Sequence, residues 1–179
     1  MAEALIIVDF QNDFTPGGAL AVAEGDRIAG RLNELAADPR FELVIATRDW
    51  HPGDHGSFEE RGGPWPVHCV QDTEGAQLHP SLQQRDVDVV IDKGQDPGTE
   101  GYSGFDGTQL EQLLRGRGID KLTVVGLATD YCVKHTALDA RRAGFEVVVD
   151  PEAVRGVEVH DGDSERALDE LRAAGATVA

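Results

Sequence analysis

Basic residues are scarce in this sequence. Its 179 residues include 16 Lys and Arg against 33 Asp and Glu, which leaves a formal net charge of -17. Phosphate backbones and anionic lipids repel a chain this acidic, so we expect neither a nucleic acid nor a membrane surface as its partner. No apolar run approaches the roughly 20 residues that a membrane-spanning helix needs.

Cysteine is equally rare, with Cys69 and Cys132 as its two occurrences. The first residues lack the basic stretch of an export signal and lead straight into an apolar, strand-like segment. We therefore expect a cytoplasmic protein with two reduced thiols rather than a disulfide. Hydrophobic residues make up 40% of the chain and charged residues 27%, as is ordinary for globular domains. One core can serve this length, so residues 1–179 are predicted to form a single domain.

Short apolar segments alternate with helical patterns along the chain. The predicted strands cover residues 4–9, 43–47, 87–92, 122–126 and 146–150, with a short sixth strand at 176–178. The predicted helices lie at residues 25–37, after the capping residue Thr108, at about 131–143 and from Ser164 onward. Strands separated by helices form a mostly parallel sheet of about five to six strands, covered on both faces. The predicted fold class is therefore α/β, with three α/β/α layers.

Reactive side chains stand at the ends of four predicted strands, where open parallel sheets bind ligands. In chain order they are Asp9, then Asp49 with His51, then Lys93, and finally Cys132. Taken singly, each has a structural interpretation: an Asp as a turn residue, a Lys in solvent, a Cys as a small buried apolar residue. Their shared position at one edge of the sheet favours a reaction site.

Cys132 is the candidate nucleophile of this site. It lies in the first turn of a predicted helix, where the helix dipole and nearby Lys93 are expected to lower the pKa of its thiol. Asp9 is the candidate acid and base, which accepts the thiol proton and later donates it to a leaving group. Cys69, in a Pro-rich loop, is expected to serve packing, with metal ligation as the alternative.

A second group of candidates lies in the long irregular segment at residues 49–84, which is rich in Gly, Pro, His and Trp. A loop of this length in a compact domain is usually functional. It contains Asp49, His51, His55 and His68. Imidazole and carboxylate ligands together suit a divalent ion such as Zn²⁺, Fe²⁺ or Mn²⁺. The alternative is that these histidines form hydrogen bonds within the loop.

Aromatic residues make up 6% of the chain, yet several lie near the same edge of the predicted sheet. Phe14, Trp65, Tyr102 and Tyr131 are predicted to wall a pocket for a small planar substrate. Packing in the core or in a loop is the alternative, equally open for Tyr102. The sequence contains no glycine-rich nucleotide-binding motif and no serine-hydrolase elbow, so those two classes lose their usual support.

These motifs, in this order, resemble those of the nicotinamidases (pyrazinamidases) within the isochorismatase-like cysteine hydrolase superfamily. The resemblance runs through IIVDFQNDF (6–14), RDWHPGDHGSF (48–58), WPVHC (65–69), IDKG (91–94), YSGF (102–105) and GLATDYCVKHTALDA (126–140). It implies the isochorismatase-like hydrolase fold and the hydrolysis of nicotinamide to nicotinate and ammonia in NAD salvage. It also implies pyrazinamide as a related substrate.

The resemblance implies a role for each candidate residue. It makes Asp9, Lys93 and Cys132 the catalytic triad, and Asp49, His51, His55 and His68 the ligands of one divalent metal ion. It implies a cis peptide between Leu127 and Ala128, which would aim the N–H groups of Ala128 and Cys132 at a developing oxyanion.

The resemblance extends to the pocket and leaves two other functions open. Phe14, Trp65 and Tyr102 match the aromatic residues of the family's pocket, whereas Tyr131 occupies a position that varies among members. The first alternative function is hydrolysis of an N-carbamoyl amide or of isochorismate by another enzyme of the superfamily. The second is a non-catalytic metal-binding scaffold. The protein is expected to act on a small molecule, alone or as a homo-oligomer.

Overall fold

A computed structural model describes all of residues 1–179. Its fold is built on one parallel sheet. The strands are β1 Glu3–Val8, β2 Phe41–Asp49, β3 Val89–Lys93, β4 Lys121–Leu127, β5 Glu146–Arg155 and β6 Thr177–Val178. The helices are α1 Ala29–Ala36, α2 Leu110–Gly116, α3 Lys134–Arg142 and α4 Asp163–Ala173. The six strands lie in the order β3-β2-β1-β4-β5-β6, and every pair is parallel.

Both faces of the sheet are apolar, as a parallel sheet between two helical layers requires. In β1, Ala4 and Ile6 belong to one cluster of 21 buried residues, whereas Leu5 and Ile7 belong to another of 20. Helices α2, α3 and α4 pack on the first face, and α1 packs on the second with the long segment between β2 and β3. The predicted three-layer α/β/α fold is therefore confirmed.

Some boundaries differ from those predicted. The helical pattern at 25–37 begins as a 3₁₀ turn, Gly25–Ile28, before α1. The third strand is displaced toward the carboxyl end, so that Lys93 is its last residue. Strand β5 continues past Pro151 to Arg155, because the pairing of β4 with β5 shifts register there. Such an irregularity in the ladder is where a sheet tolerates proline.

The topology gathers the carboxyl ends of the central strands. Strand β1 lies between β2 and β4, and the chain switches there from one half of the sheet to the other. Switch points of this kind leave a crevice at the carboxyl edge. The register places Val8 beside both Thr47 and Gly126, and Asp49 beside Lys93. None of the helices has the length and apolar character needed to cross a membrane.

Candidate active site and metal centre

Lys93 is the centre of the cluster at the carboxyl edge of the sheet. Its buried Nζ lies 2.8 Å from Asp9 Oδ2, 2.6 Å from Asp49 Oδ1 and 3.4 Å from Cys132 Sγ. Nζ also donates a hydrogen bond of 3.1 Å to the carbonyl oxygen of Gly101. Burial by itself lowers the pKa of Lys93, but the two carboxylates outweigh it and raise the pKa well above its ordinary value. Lys93 is therefore a fixed cation.

Asp9 is the first residue beyond β1, and its side chain is fully buried. Thr47, on the neighbouring strand, donates a hydrogen bond of 2.8 Å from Oγ1 to Asp9 Oδ1. Burial raises the pKa of Asp9 to about 6, with Lys93 lowering it and Asp49 raising it further. A carboxyl group with this pKa can both accept and release a proton near neutral pH, as an acid/base catalyst must.

Cys132 lies in a π-helical turn, Thr129–Val133, that leads into α3. Its Sγ, one oxygen of Asp9 and one oxygen of Asp49 all lie within 4.8 Å of one another. The prediction of a lowered thiol pKa is wrong. Burial raises the pKa of Cys132 well above its ordinary value, and the carboxylates of Asp9 and Asp49 oppose the lowering effect of Lys93. The resting thiol is protonated, so the sulfur needs a base within reach before it can attack.

Asp49, His51 and His68 form a second buried group that shares Asp49 with the first. Each offers one ligand atom, and these atoms lie within 4.8 Å of one another. Asp49 Oδ2 lies 3.4 Å from His51 Nε2 and 4.0 Å from His68 Nε2, whereas Asp49 Oδ1 accepts the hydrogen bond of Lys93. The two oxygens of one carboxylate thus face different groups.

Backbone carbonyl groups orient both imidazole rings of this group. His51 Nδ1 lies 2.7 Å from the oxygen of Gly94, and His68 Nδ1 lies 2.8 Å from the oxygen of Pro66. Because a carbonyl oxygen only accepts, each Nδ1 carries a proton and leaves Nε2 to bind a metal ion. Burial lowers the pKa of His68. Burial lowers that of His51 too, but Asp49 outweighs it and raises the pKa; a bound metal ion would displace that proton.

His55 lies beside this group. Its ring stacks on that of His51 with the centroids 3.9 Å apart, and its Nδ1 lies 2.6 Å from Ser57 Oγ. Burial and the charge of His51 lower the pKa of His55 to about 4, which keeps the ring neutral. Its Nε2 is buried without a hydrogen-bond partner, a costly state that a ligand would relieve. The residues present therefore fit a divalent metal ion with His55 as a further ligand.

A small, largely apolar cavity lies beside Cys132. Its lining residues are Phe14, Leu20, Asp49, Trp65, His68, Tyr102, Leu127, Ala128, Tyr131, Cys132 and Val157. All four aromatic residues predicted from the sequence are among them, and no Lys or Arg is. The peptide between Leu127 and Ala128 is cis, as the resemblance implied.

The aromatic residues of the cavity also pack on one another. Trp65 Nε1 donates a hydrogen bond of 3.0 Å to the hydroxyl of Tyr102. The ring of Tyr131 contacts both, with centroid distances of 5.0 Å to Trp65 and 5.6 Å to Tyr102. His135 stacks on Tyr102 with the centroids 5.2 Å apart. Packing and lining the cavity are therefore not alternatives for Tyr102, which does both.

Two buried polar residues that the sequence analysis did not assign to the site hold it in place. The side-chain amide of Gln11 donates to the carbonyl oxygen of Asp49, and its oxygen accepts the Asp49 N–H, both at 2.8 Å. Thr47 binds Asp9 as described. Their spacing in the sequence could have indicated both residues. Gln11 lies two residues after Asp9, and Thr47 lies two residues before Asp49 on the same face of β2.

Cys69 is fully buried in the second apolar cluster, which agrees with its predicted packing role. Its backbone N–H donates a hydrogen bond of 2.8 Å to Asp13 Oδ2. Its sulfur is not part of either group of clustered ligand atoms. The alternative of metal ligation by Cys69 therefore has no geometric support.

A thiol beside a carboxyl group and a fixed ammonium, at an apolar cavity on the edge of an open parallel sheet, defines the class of thiol-dependent α/β hydrolases. Residues 3–179 match the Isochorismatase domain family. This chain belongs to the isochorismatase family.

Three proteins illustrate what this chain is similar to. A nicotinamidase of Escherichia coli (strain K12) is 46% identical over an alignment of 198 positions, and the alignment covers 98% of this chain and 93% of that protein. The crystal structure of a pyrazinamidase of Pyrococcus horikoshii in complex with zinc is 49% identical, with a TM-score of 0.91 over 100% of this chain and 99% of that one. PnC1 from L. infantum, in complex with nicotinate, is 39% identical, with a TM-score of 0.94 over 99% and 92% of the two chains.

Proposed function

We propose that this protein is an amidohydrolase that converts nicotinamide to nicotinate and ammonia in NAD salvage. Its similarity to the E. coli nicotinamidase and to a structure with bound nicotinate supports this substrate. The observation that carries the proposal is the position of Lys93 Nζ, 2.8 Å from Asp9 and 3.4 Å from Cys132, beside a small apolar cavity with aromatic walls. Pyrazinamide, a planar aromatic amide of similar size, is a second substrate.

The reaction begins with proton transfer within the chain's own residues. Asp9 accepts the proton of the Cys132 thiol as Sγ attacks the carboxamide carbon, and the carbonyl electron pair moves onto oxygen. The N–H groups of Ala128 and Cys132 are the proposed donors to that oxyanion. Protonated Asp9 then gives its proton to the amide nitrogen and the C–N bond breaks. Ammonia departs, and the acyl group remains bound to Cys132 as a thioester.

The thioester is hydrolysed by reversing the role of Asp9. Asp9 accepts a proton from water as the water oxygen attacks the thioester carbon, and the C–S bond breaks. The proton on Asp9 returns to Cys132 Sγ, and the nicotinic acid that forms loses its carboxyl proton to solvent and is released as nicotinate. Lys93, whose raised pKa keeps it charged, balances the negative charge that moves between Asp9 and Sγ without itself giving up a proton.

A divalent metal ion is part of the proposed site, with Asp49, His51, His55 and His68 as the residues that would hold it. When bound, the ion would hold the pyridine nitrogen and so orient the ring. The His and Asp donors suit Zn²⁺, Fe²⁺ or Mn²⁺. The proposed substrate is a small molecule, and the protein is proposed to act in the cytoplasm with neither a nucleic-acid nor a membrane partner.

The lining of the cavity favours a neutral aromatic substrate over those of the other hydrolases in the superfamily. Isochorismate is a dianion, but the cavity has no Lys or Arg in its lining. The nearby cation, Lys93, is already paired with Asp9 and Asp49. A flexible N-carbamoyl amide would leave its polar groups against aromatic walls, which is unfavourable.

Replacing Cys132 tests the function directly. Cys132→Ala should abolish ammonia release from nicotinamide while metal content stays at the wild-type level. Wild-type protein should release ammonia from nicotinamide faster than from an N-carbamoyl amino acid and should not hydrolyse isochorismate. Full turnover by Cys132→Ala, or a preference for the carbamoyl substrate, would show that the proposal is wrong.

Thiol alkylation separates an enzyme from a non-catalytic scaffold. Nicotinamide should slow the reaction of Cys132 with iodoacetamide, because the ring would occupy the cavity beside Sγ. Cys69 is fully buried away from the cavity lining, so it should stay unmodified in peptide mapping as long as the protein remains folded. Equal alkylation of Cys132 with and without nicotinamide would favour the scaffold.

A further inference from the structure

Asp130 is a buried carboxylate beside the candidate nucleophile that the proposed reaction does not use. It is 6% exposed and lies two residues before Cys132 in the same π-helical turn. Its Oδ1 accepts the backbone N–H of Val157 and its Oδ2 that of Glu158, both at 2.9 Å. Both partners are backbone groups, and no basic side chain forms an ion pair with Asp130. The carboxylate therefore acts on the path of the chain at residues 156–158, which we call the wall segment.

The wall segment follows β5 and reaches the cavity through one side chain. Val157 lines the cavity and packs on the second apolar cluster. The backbone on either side has little freedom. Glu158 has a φ of 56°, in the left-handed region, and a Cβ on Gly156 would overlap Ser164 Oγ. A segment this confined holds one position only while its hydrogen bonds persist.

The other side of the wall segment is tied to the beginning of α4. The Glu158 carboxylate accepts the N–H of Gly162 at 2.9 Å and that of Ser164 at 2.8 Å. The segment is thus held from inside by Asp130 and from outside by α4. Because Asp130 and Cys132 share one turn, the distance from Val157 to the nucleophile is set through Asp130.

We propose that Asp130 determines specificity by positioning Val157 as a wall of the substrate cavity, which limits the ring substituents the site accepts. This inference rests on the proposed hydrolysis of nicotinamide. An ionised acceptor makes stronger and shorter hydrogen bonds than a neutral one, so a carboxylate holds two adjacent N–H groups better than an amide can. Asp130→Asn would place an N–H₂ group against one of them, and the wall segment would move outward.

The test compares kcat/KM for nicotinamide and for its 4-, 5- and 6-methyl derivatives. Val157→Ala should improve the relative use of the derivative whose methyl group points at Val157, by about tenfold for one methyl group. Asp130→Asn should improve the relative use of that same derivative. Adding Asp130→Asn to Val157→Ala should give no further change in the ratio, because the wall it positions is already gone.

Asp88→Asn is the matched control. It makes the same change at a carboxylate that accepts the backbone N–H of Val44 at 2.8 Å, where β2 and β3 adjoin and away from the wall segment. Its substrate ratios should equal those of the wild type. A merely structural role of Asp130 would lower kcat/KM for all four substrates by one common factor. That result, or a shift toward a different derivative than in Val157→Ala, would overturn the inference.

A second variant covers the case in which Asp130→Asn does not fold. Asp130→Ser keeps one small acceptor and enters the same comparison; if neither variant folds, Asp130 serves the fold and the inference is wrong.

Failure of the proposed function gives a different result. Wild-type protein would then release no ammonia, and the same variants would be compared by calorimetric binding of nicotinamide and its methyl derivatives. An absence of binding in the wild type would reject both.

Discussion

Lys93 Nζ lies 2.6 Å from Asp49 Oδ1. This ion pair connects the candidate catalytic residues around Cys132 to the metal group, the cluster of Asp49, His51 and His68. The two residues end neighbouring strands and are paired in register. The other oxygen of Asp49 faces His51 Nε2 at 3.4 Å. The Asp49 carboxylate therefore contacts both sets of residues. Substitution of Asp49 should affect both metal binding and the thiol, whereas substitution of a histidine should affect metal binding alone.

Asp49→Asn should lower metal content and also change the reactivity of Cys132. The Asp49 carboxylate raises the pKa of the Cys132 thiol, so its removal should speed alkylation by iodoacetamide severalfold in metal-free protein. His68→Ala is the control, because it removes a candidate metal ligand that does not touch Lys93. We expect lower metal content with an unchanged alkylation rate. An equal change of rate in both variants would contradict a special position for Asp49.

Removal of the metal ion should weaken substrate binding more than it changes the thiol. Chelated protein should show a higher KM for nicotinamide, and added Zn²⁺, Fe²⁺ or Mn²⁺ should restore it, because the ion's proposed task is to orient the ring. The measurement is steady-state kinetics with metal analysis on the same samples. A metal-free preparation with unchanged kcat and KM would rule out this task.

Gly94→Ala should disturb the metal group through His51. Gly94 has a φ of +67°, and a Cβ there would lie 2.6 Å from His51 Cε1 and 2.8 Å from His51 Nδ1. Gly107 is a matched control, with a φ of +66° and no atom within 4 Å of an added Cβ. Gly107→Ala should cost about 1–2 kcal/mol of unfolding free energy, and Gly94→Ala should cost more because of the overlap, both measured by urea denaturation. Reduced metal affinity is expected for Gly94→Ala alone, and a loss in both variants would contradict this explanation.

The pH dependence of kcat/KM should follow the ionisation of Asp9. Asp9 must be ionised to accept the thiol proton, and burial raises its pKa to about 6. Activity should therefore fall as the pH drops through about 6, rather than near the ordinary carboxyl value of about 4. A profile that stays flat down to pH 4.5 would show that Asp9 is not the base.

Thr47→Val should move that acidic limb to higher pH. The Thr47 hydroxyl donates to Asp9 Oδ1, and losing a hydrogen bond to the charged form raises the pKa of Asp9 further, by about one unit. Thr123→Val is the control, because Thr123 is equally buried but donates to Glu3 at 2.7 Å, away from the site. Its limb should stay at the wild-type position, so a shift in both variants would reject the assignment to Thr47.

The sequence alone was sufficient for the architecture and for the membership of the cluster. Alternating apolar segments and helical patterns predicted a parallel sheet, and a parallel sheet brings the ends of its strands to one edge. Asp9, Asp49, Lys93 and Cys132 were recognisable because each lies at such an end. The order of the motifs around them was similarly sufficient for the family, which residues 3–179 match.

The tertiary structure alone decided the electrostatics and the supporting contacts. Local pattern predicted a lowered pKa for Cys132, but burial raises it, because desolvation depends on everything that covers the sulfur and not on its own helix. Only the tertiary structure brings together Asp130 and Val157, which lie 27 residues apart, through the hydrogen bond that the Val157 N–H donates to Asp130 Oδ1. A sequence pattern records neighbours along the chain, whereas burial and contacts between distant segments exist only once the layers have packed.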